Sequence, residues 1–127
     1  MDTQTLISRE RARLPLFWRM LGLGRSFKNL PSLLEQDETL RAICVGNASD
    51  QRNYLIAATD RRIVVAELTM FGAMKTPLSF QLSNASINAE PSKGRLTLQT
   101  GDYVLAITRA QKEQIADLKE VWSPNAL

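Results

Sequence analysis

Tyr54-Leu55-Ile56-Ala57-Ala58-Thr59-Asp60-Arg61-Arg62-Ile63-Val64-Val65-Ala66-Glu67-Leu68 is the stretch whose reading decides the fold. Two short apolar runs, Tyr54–Thr59 and Arg62–Leu68, flank a polar step at Thr59-Asp60-Arg61-Arg62. The runs read as strands and the step as a tight turn, in which Asp60 supplies local side-chain hydrogen bonds.

Working outward, the same grammar repeats. A strand over about Thr39–Gly46 precedes the pair, separated from it by the polar loop Asn47–Asn53. After it, the loop Thr69–Lys75 contains Gly72 and leads to strands at about Thr76–Leu82 and Ala85–Glu90. Pro91-Ser92-Lys93-Gly94 turns into Arg95–Thr100, and Gly101-Asp102 turns into Tyr103–Thr108. In these last two strands Leu96, Leu98, Tyr103, Leu105 and Ile107 alternate with Thr97, Gln99, Val104 and Ala106, the period of a sheet with one face buried. A helix follows over roughly Arg109–Trp122. Ile115, Leu118 and Trp122 form its apolar stripe, and Thr108 with Gln111 has the spacing of a capping box. Ser123-Pro124 stops it.

The composition removes most site chemistry. The 127 residues contain no histidine and one cysteine, Cys44. A Ser-His-Asp or Cys-His dyad is therefore impossible, as is a Cys/His zinc site or an intramolecular disulfide. Cys44 lies between Ile43 and Val45 and reads as a buried structural thiol. The acidic residues Glu35, Asp37 and Glu38 read as solvated, without the spacing of a calcium loop. The expectation is no catalytic residue, no metal and no cofactor. The longest nearly apolar stretch, Leu14–Gly24, is interrupted by Arg19 and too short to span a bilayer, and no signal-peptide pattern is recognisable. A cytoplasmic protein is expected, with peripheral membrane contact as a variant of that reading.

Residues 1–29 stand apart. They carry Arg9, Arg11, Arg13, Arg19, Arg25 and Lys28 against Asp2 and Glu10, a net +4, whereas the rest of the chain has ten basic and eleven acidic side chains. Thr3–Arg13 is polar with good helix formers. Pro15–Gly22 is a second short helical stretch, with Leu16, Phe17, Met20 and Leu21 on one side. The expected organisation is a basic amphipathic arm at 1–29, a domain at 30–122 and a tail at 123–127.

Seven strands and a helix in this order, with Leu30-Pro31-Ser32-Leu33-Leu34-Glu35-Gln36-Asp37-Glu38-Thr39-Leu40 and the Tyr54–Ile63 segment ending in Thr-Asp-x-Arg, resemble the bacterial pleckstrin-homology (PH) domains of the YokE-like type. The resemblance covers residues 30–122. It implies a mainly β fold, a seven-stranded antiparallel barrel or sandwich capped by the C-terminal helix, here with a short helical arm in front. It implies no catalysis, and self-association in some members. Phosphoinositide-binding PH domains carry a basic cluster on the first hairpin. Here Gly46–Asn53 offers only Arg52, opposed by Asp50, so phosphate binding by the barrel is not expected.

The candidate interaction surface comprises Leu16, Phe17, Arg19, Met20 and Leu21 on the arm, with Met70, Phe71 and Met74 around Gly72, since methionines suit adaptable contacts. The function read from this is a non-catalytic binding or scaffold module acting through protein–protein contacts, its partner another protein or its own subunits. The arm docks on its own barrel or on a neighbour. The alternatives are an anionic membrane surface met by Arg9, Arg11, Arg13, Arg19, Arg25 and Lys28, and, ranked last, nucleic acid met by the arm.

Overall fold

The structure is a computed structural model, and it describes residues 3–13, 31, 34–69 and 74–122. Helix α1 spans Thr3–Arg13. Seven strands follow, β1 Leu40–Ala48, β2 Asn53–Thr59, β3 Arg62–Leu68, β4 Met74–Gln81, β5 Ser86–Glu90, β6 Arg95–Thr100 and β7 Tyr103–Ala110, and helix α2 spans Lys112–Trp122. The strands form one antiparallel sheet in the order β4-β3-β2-β1-β7-β6-β5. The mainly β, seven-stranded fold with a C-terminal helix is the one expected.

Strand β1 is the corner of this sheet. It pairs with β2 along nearly its whole length, but with β7 only at Gly46, Asn47 and Ala48. The sheet therefore folds over at β1, and α2 packs against β1, β5 and β6 in the opening. Gly46 sits at the fold. A Cβ there would lie 2.5 Å from Ile107 Cγ2 and 2.8 Å from the Arg109 carbonyl, so no side chain fits. Gly94, at φ +65°, makes a comparable close approach to Ala110 before α2 begins.

Two cores result. The inner one joins Ala42, Cys44, Ile56, Ala58, Ile63 and Val65 to Leu96, Leu98, Leu105 and Ile107, and Ile115 and Leu118 of α2 close it. The other lies on the opposite face of β1–β3. There Leu40, Ile43, Val45, Leu55, Ala57, Val64 and Leu68 are covered by Leu6 and Ile7 of α1. Strands buried on both faces read as continuous apolar runs, and those of β1–β3 do. A bulge between Leu40 and Ala42 shifts the alternation by one residue, putting Leu40 on the same face as Ile43 and Val45. Burying Leu6 and Ile7 contributes about 3–6 kcal/mol before ordering costs.

Some sequence expectations need correction. Thr108 lies inside β7 and its hydroxyl donates to the Asn47 carbonyl at 3.3 Å, so it does not open a capping box; α2 starts at Lys112 because β7 runs on to Ala110. Met74 and Lys75 belong to β4 rather than to a loop. The Trp122 side chain, the helix expected at Pro15–Gly22 and the tail at 123–127 lie outside the described residues.

Gly46→Ala is expected to cost about 1–3 kcal/mol by overpacking. Urea denaturation measures this; an unchanged midpoint would remove β1 from the corner of the fold.

Candidate interaction surface

The Thr59–Arg62 turn is where local sequence and tertiary structure meet. Thr59 is fully buried, and its hydroxyl oxygen accepts the backbone N–H groups of Arg61 at 3.1 Å and Arg62 at 3.0 Å. The same hydroxyl donates to Glu38 Oε2 at 2.8 Å. Arg62 completes the site with a two-pronged contact, Nε to Oε2 at 2.8 Å and Nη2 to Oε1 at 2.9 Å. Glu38 also accepts the Glu35 N–H at 2.9 Å. Asp60 reaches away from its own turn and accepts the Thr39 N–H at 3.0 Å. Glu38 and Arg62 are thus spent on each other. The reading of Glu38 as solvated is corrected, because its carboxylate is withdrawn from water and saturated. The local hydrogen bonds of the turn come from Thr59, and the Asp60 side chain holds Thr39, the residue before β1. The Arg62 contact, ahead of the backbone and Thr59 bonds, holds the Glu38 carboxyl down at about 2 from an ordinary 4.5, against burial, which works the other way.

At the other end of the same strands the first hairpin meets the open side of the barrel. Arg52 pairs with Glu67 at 3.0 Å, and Lys75 reaches the same carboxylate at 3.4 Å. Tyr54 donates its hydroxyl to Asp50 at 2.7 Å. Burial, then that bond, pushes the Tyr54 phenol up to about 12, and the Tyr54 bond holds Asp50 below the usual carboxylate range. Arg52, Tyr54, Val65, Glu67, Lys75, Leu78 and Tyr103 line a shallow cleft of about 260 Å³. Its cations already have carboxylate partners, so it offers a phosphate no uncompensated positive charge.

Strand β4 borders this cleft and is one edge of the sheet. Among the described residues only β3 packs on it extensively, whereas the other edge, β5, lies under α2. Leu78 is 39% exposed, and Phe80 is half-buried with its ring 5.2 Å from that of Tyr103. Pro77 interrupts the donor row of the strand. Of the sequence candidates around Gly72, Met74 is half-buried, pairs with Leu68 and packs on the α1-side core. Met70 and Phe71 lie outside the described residues, as do Leu16, Phe17, Arg19, Met20, Leu21, Arg25 and Lys28. The side chains of Arg11 and Arg13 are likewise outside the description, although their backbone is helical.

Arg9 is engaged. Its Nε donates to Glu10 Oε1 at 3.0 Å and its Nη2 to Asp117 Oδ2 at 3.2 Å. Glu10, which enters the sequence reading only through the arm's net charge, is fully buried and accepts Gln114 Nε2–H at 2.9 Å; Gln114 Oε1 in turn accepts the Val45 N–H at 3.0 Å. Sequence reasoning missed Leu78, Gln114 and this role of Glu10. The signal available for the last was a lone carboxylate amid arginines, one turn after Leu6 and Ile7. No helix among the described residues is long and apolar enough to cross a membrane. Cys44 faces the inner core, and burial, helped by the charge of Glu10, pushes its thiol up to about 12, which leaves it chemically inert at neutral pH.

A bent antiparallel sheet of seven strands with one helix in its opening defines a PH-like module. The family model described as "Bacterial PH domain" matches residues 34–121, and the chain belongs to that family. Such domains are typically binding modules without catalytic activity. No curated protein matched the chain in the search.

Two outcomes are expected. A carboxyl held low in the folded state adds stability above its unfolded value and loses it as pH falls through the folded one, so the Glu38 contribution is complete above about pH 4.5 and fades toward pH 2. Glu38→Gln should cost about 3 kcal/mol at neutral pH, with the gap to wild type closing in acid; a gap independent of pH would show that the pair is not the source. Vesicles of equal total charge, with and without a phosphoinositide, should bind the chain equally. A tenfold preference for the phosphoinositide would contradict the neutralised hairpin.

Proposed function

We propose that this chain is a non-catalytic binding module of the cytoplasm that works through protein–protein contacts and assembles with copies of itself. The observation that carries the reading is the unequal treatment of the two sheet edges. An uncovered edge strand is a template for pairing, and proteins blunt such edges with charge, proline or a covering element. Strand β5 lies under α2, while β4 keeps Leu78 and Phe80 at its rim beside charges that are already compensated. Apolar surface with its neighbouring charges paired favours a protein partner over an anionic lipid. Met70 and Phe71 precede β4 directly in the sequence, and we include them in the proposal on that ground alone. The membrane reading loses Arg9, whose guanidinium is held by Glu10 and Asp117.

The test is light scattering on the full chain at high micromolar concentration. Wild type is expected as a discrete multimer. Leu78→Glu should shift it to monomer with a stability change within about 0.5–1 kcal/mol, because Leu78 is already partly in water. A wild-type monomer at that concentration, or an unshifted variant, would reject the β4 surface.

A further inference from the structure

The outer face of β1–β3 is a built docking groove for a helix, and we infer that it accepts α1 from a second copy of the chain as well as its own. This surface is distinct from the β4 edge and does not depend on it.

Three observations carry the inference. The groove is apolar and continuous, lined by Leu40, Ile43, Val45, Leu55, Ala57, Val64 and Leu68, and among the described residues α1 seats Leu6 and Ile7 in it, with Leu34 and Met74 at its margin. It also contains a polar reader. Gln114 is fully buried, with its carbonyl oxygen occupied by the Val45 N–H and its amide directed to Glu10, while Asp117 takes Arg9. A helix presenting adjacent aliphatic residues with an Arg-Glu pair two and three positions on meets every one of these groups, and α1 of any copy of this chain has that pattern. Finally, 17 residues separate Arg13 from Pro31. They span at most about 60 Å when extended, enough to reach a neighbouring molecule.

The balance between own and foreign helix is one of concentration. A tether holds α1 near its own groove at an effective concentration on the order of millimolar. Exchange between copies becomes competitive near that concentration, or when another contact already holds two copies together. An 11-residue helix has little stability alone, so α1 folds where it docks. Exchange of an identical element between identical chains gives a closed two-fold dimer.

The test uses the full chain with its own helix unlatched. Leu6→Asp with Ile7→Asp places two charges against the apolar groove and releases α1. A fluorescent peptide of residues 1–13 should then bind this variant saturably in the micromolar range. Wild type, its groove filled, should show no binding below about a millimolar. Gln114→Ala in the unlatched chain should weaken the peptide about tenfold, and a Glu10→Ala peptide should lose the same factor. The two changes together should lose no more than either alone, since both remove one contact. A folded, unlatched variant that ignores the peptide, or binds a scrambled one equally, overturns the inference. Equal affinity for the Glu10→Ala peptide does so too, by showing a merely apolar surface open to other proteins. Should the double variant not fold, wild type refolded at millimolar concentration decides: a dimer that survives dilution supports exchange, and a monomer overturns it.

Discussion

The side-chain amide of Gln114 joins the beginning, middle and end of the chain. Its carbonyl satisfies the Val45 N–H at the point where β1 has turned away from β7, and its NH₂ holds the Glu10 carboxylate of α1. All three groups are buried, and each would be costly without the others, since a buried donor or acceptor left unpaired forfeits its hydration. The bent sheet requires this arrangement. Folding β1 over to meet β7 at only three residues opens a gap, and the gap strands a backbone donor that no neighbouring strand can reach. Helix α2 fills the gap with Ile115 and Leu118 and brings Gln114 to the stranded donor.

The Glu38–Arg62–Thr59 cluster applies the same physics at the far end of β1–β3. A buried carboxylate is retained by saturating it with a guanidinium, a hydroxyl and a backbone N–H. It ties the segment before β1 to the β2–β3 turn, while Asp60 holds Thr39 from the same turn. The central three strands are thus pinned at one end by Glu38, and further along β1 is tied through Gln114 to Glu10 of α1. Both clusters withdraw charge from the surface, and beside the first hairpin Arg52 and Lys75 share Glu67. That is why the basic composition of the chain is a poor guide to what the barrel binds.

The fold was legible because strand signals in this chain are local. The Tyr54–Leu68 segment forms its hairpin as read, and the alternation of Leu96, Leu98, Leu105 and Ile107 maps onto the buried side of β6 and β7. Tertiary pairing was not legible. The Thr108–Gln111 spacing suggested a cap, but β7 continues past it to satisfy β1. Met74 looked like a loop residue until its pairing with Leu68 drew it into β4. The apolar runs Ala42–Val45, Leu55–Ala58 and Ile63–Ala66 announce strands covered on both faces, yet the polar character of α1 hides its role as a cover, because the described helix meets this core through Leu6 and Ile7 amid polar neighbours. The candidate surface was least legible. Leu78 enters it only because β4 is an edge, a property of strand order rather than of sequence.

Native-state hydrogen exchange on α1 and β1 tests the central claim, that α1 belongs to the folded unit through Glu10, Gln114 and Val45. The account predicts that the amides of residues 7–13 are protected well beyond a free 11-residue helix, and that Gln114→Ala lowers the protection of these amides and of Val45 together. Exchange of the α1 amides at the rate of an unstructured peptide, with Val45 still protected, would contradict it.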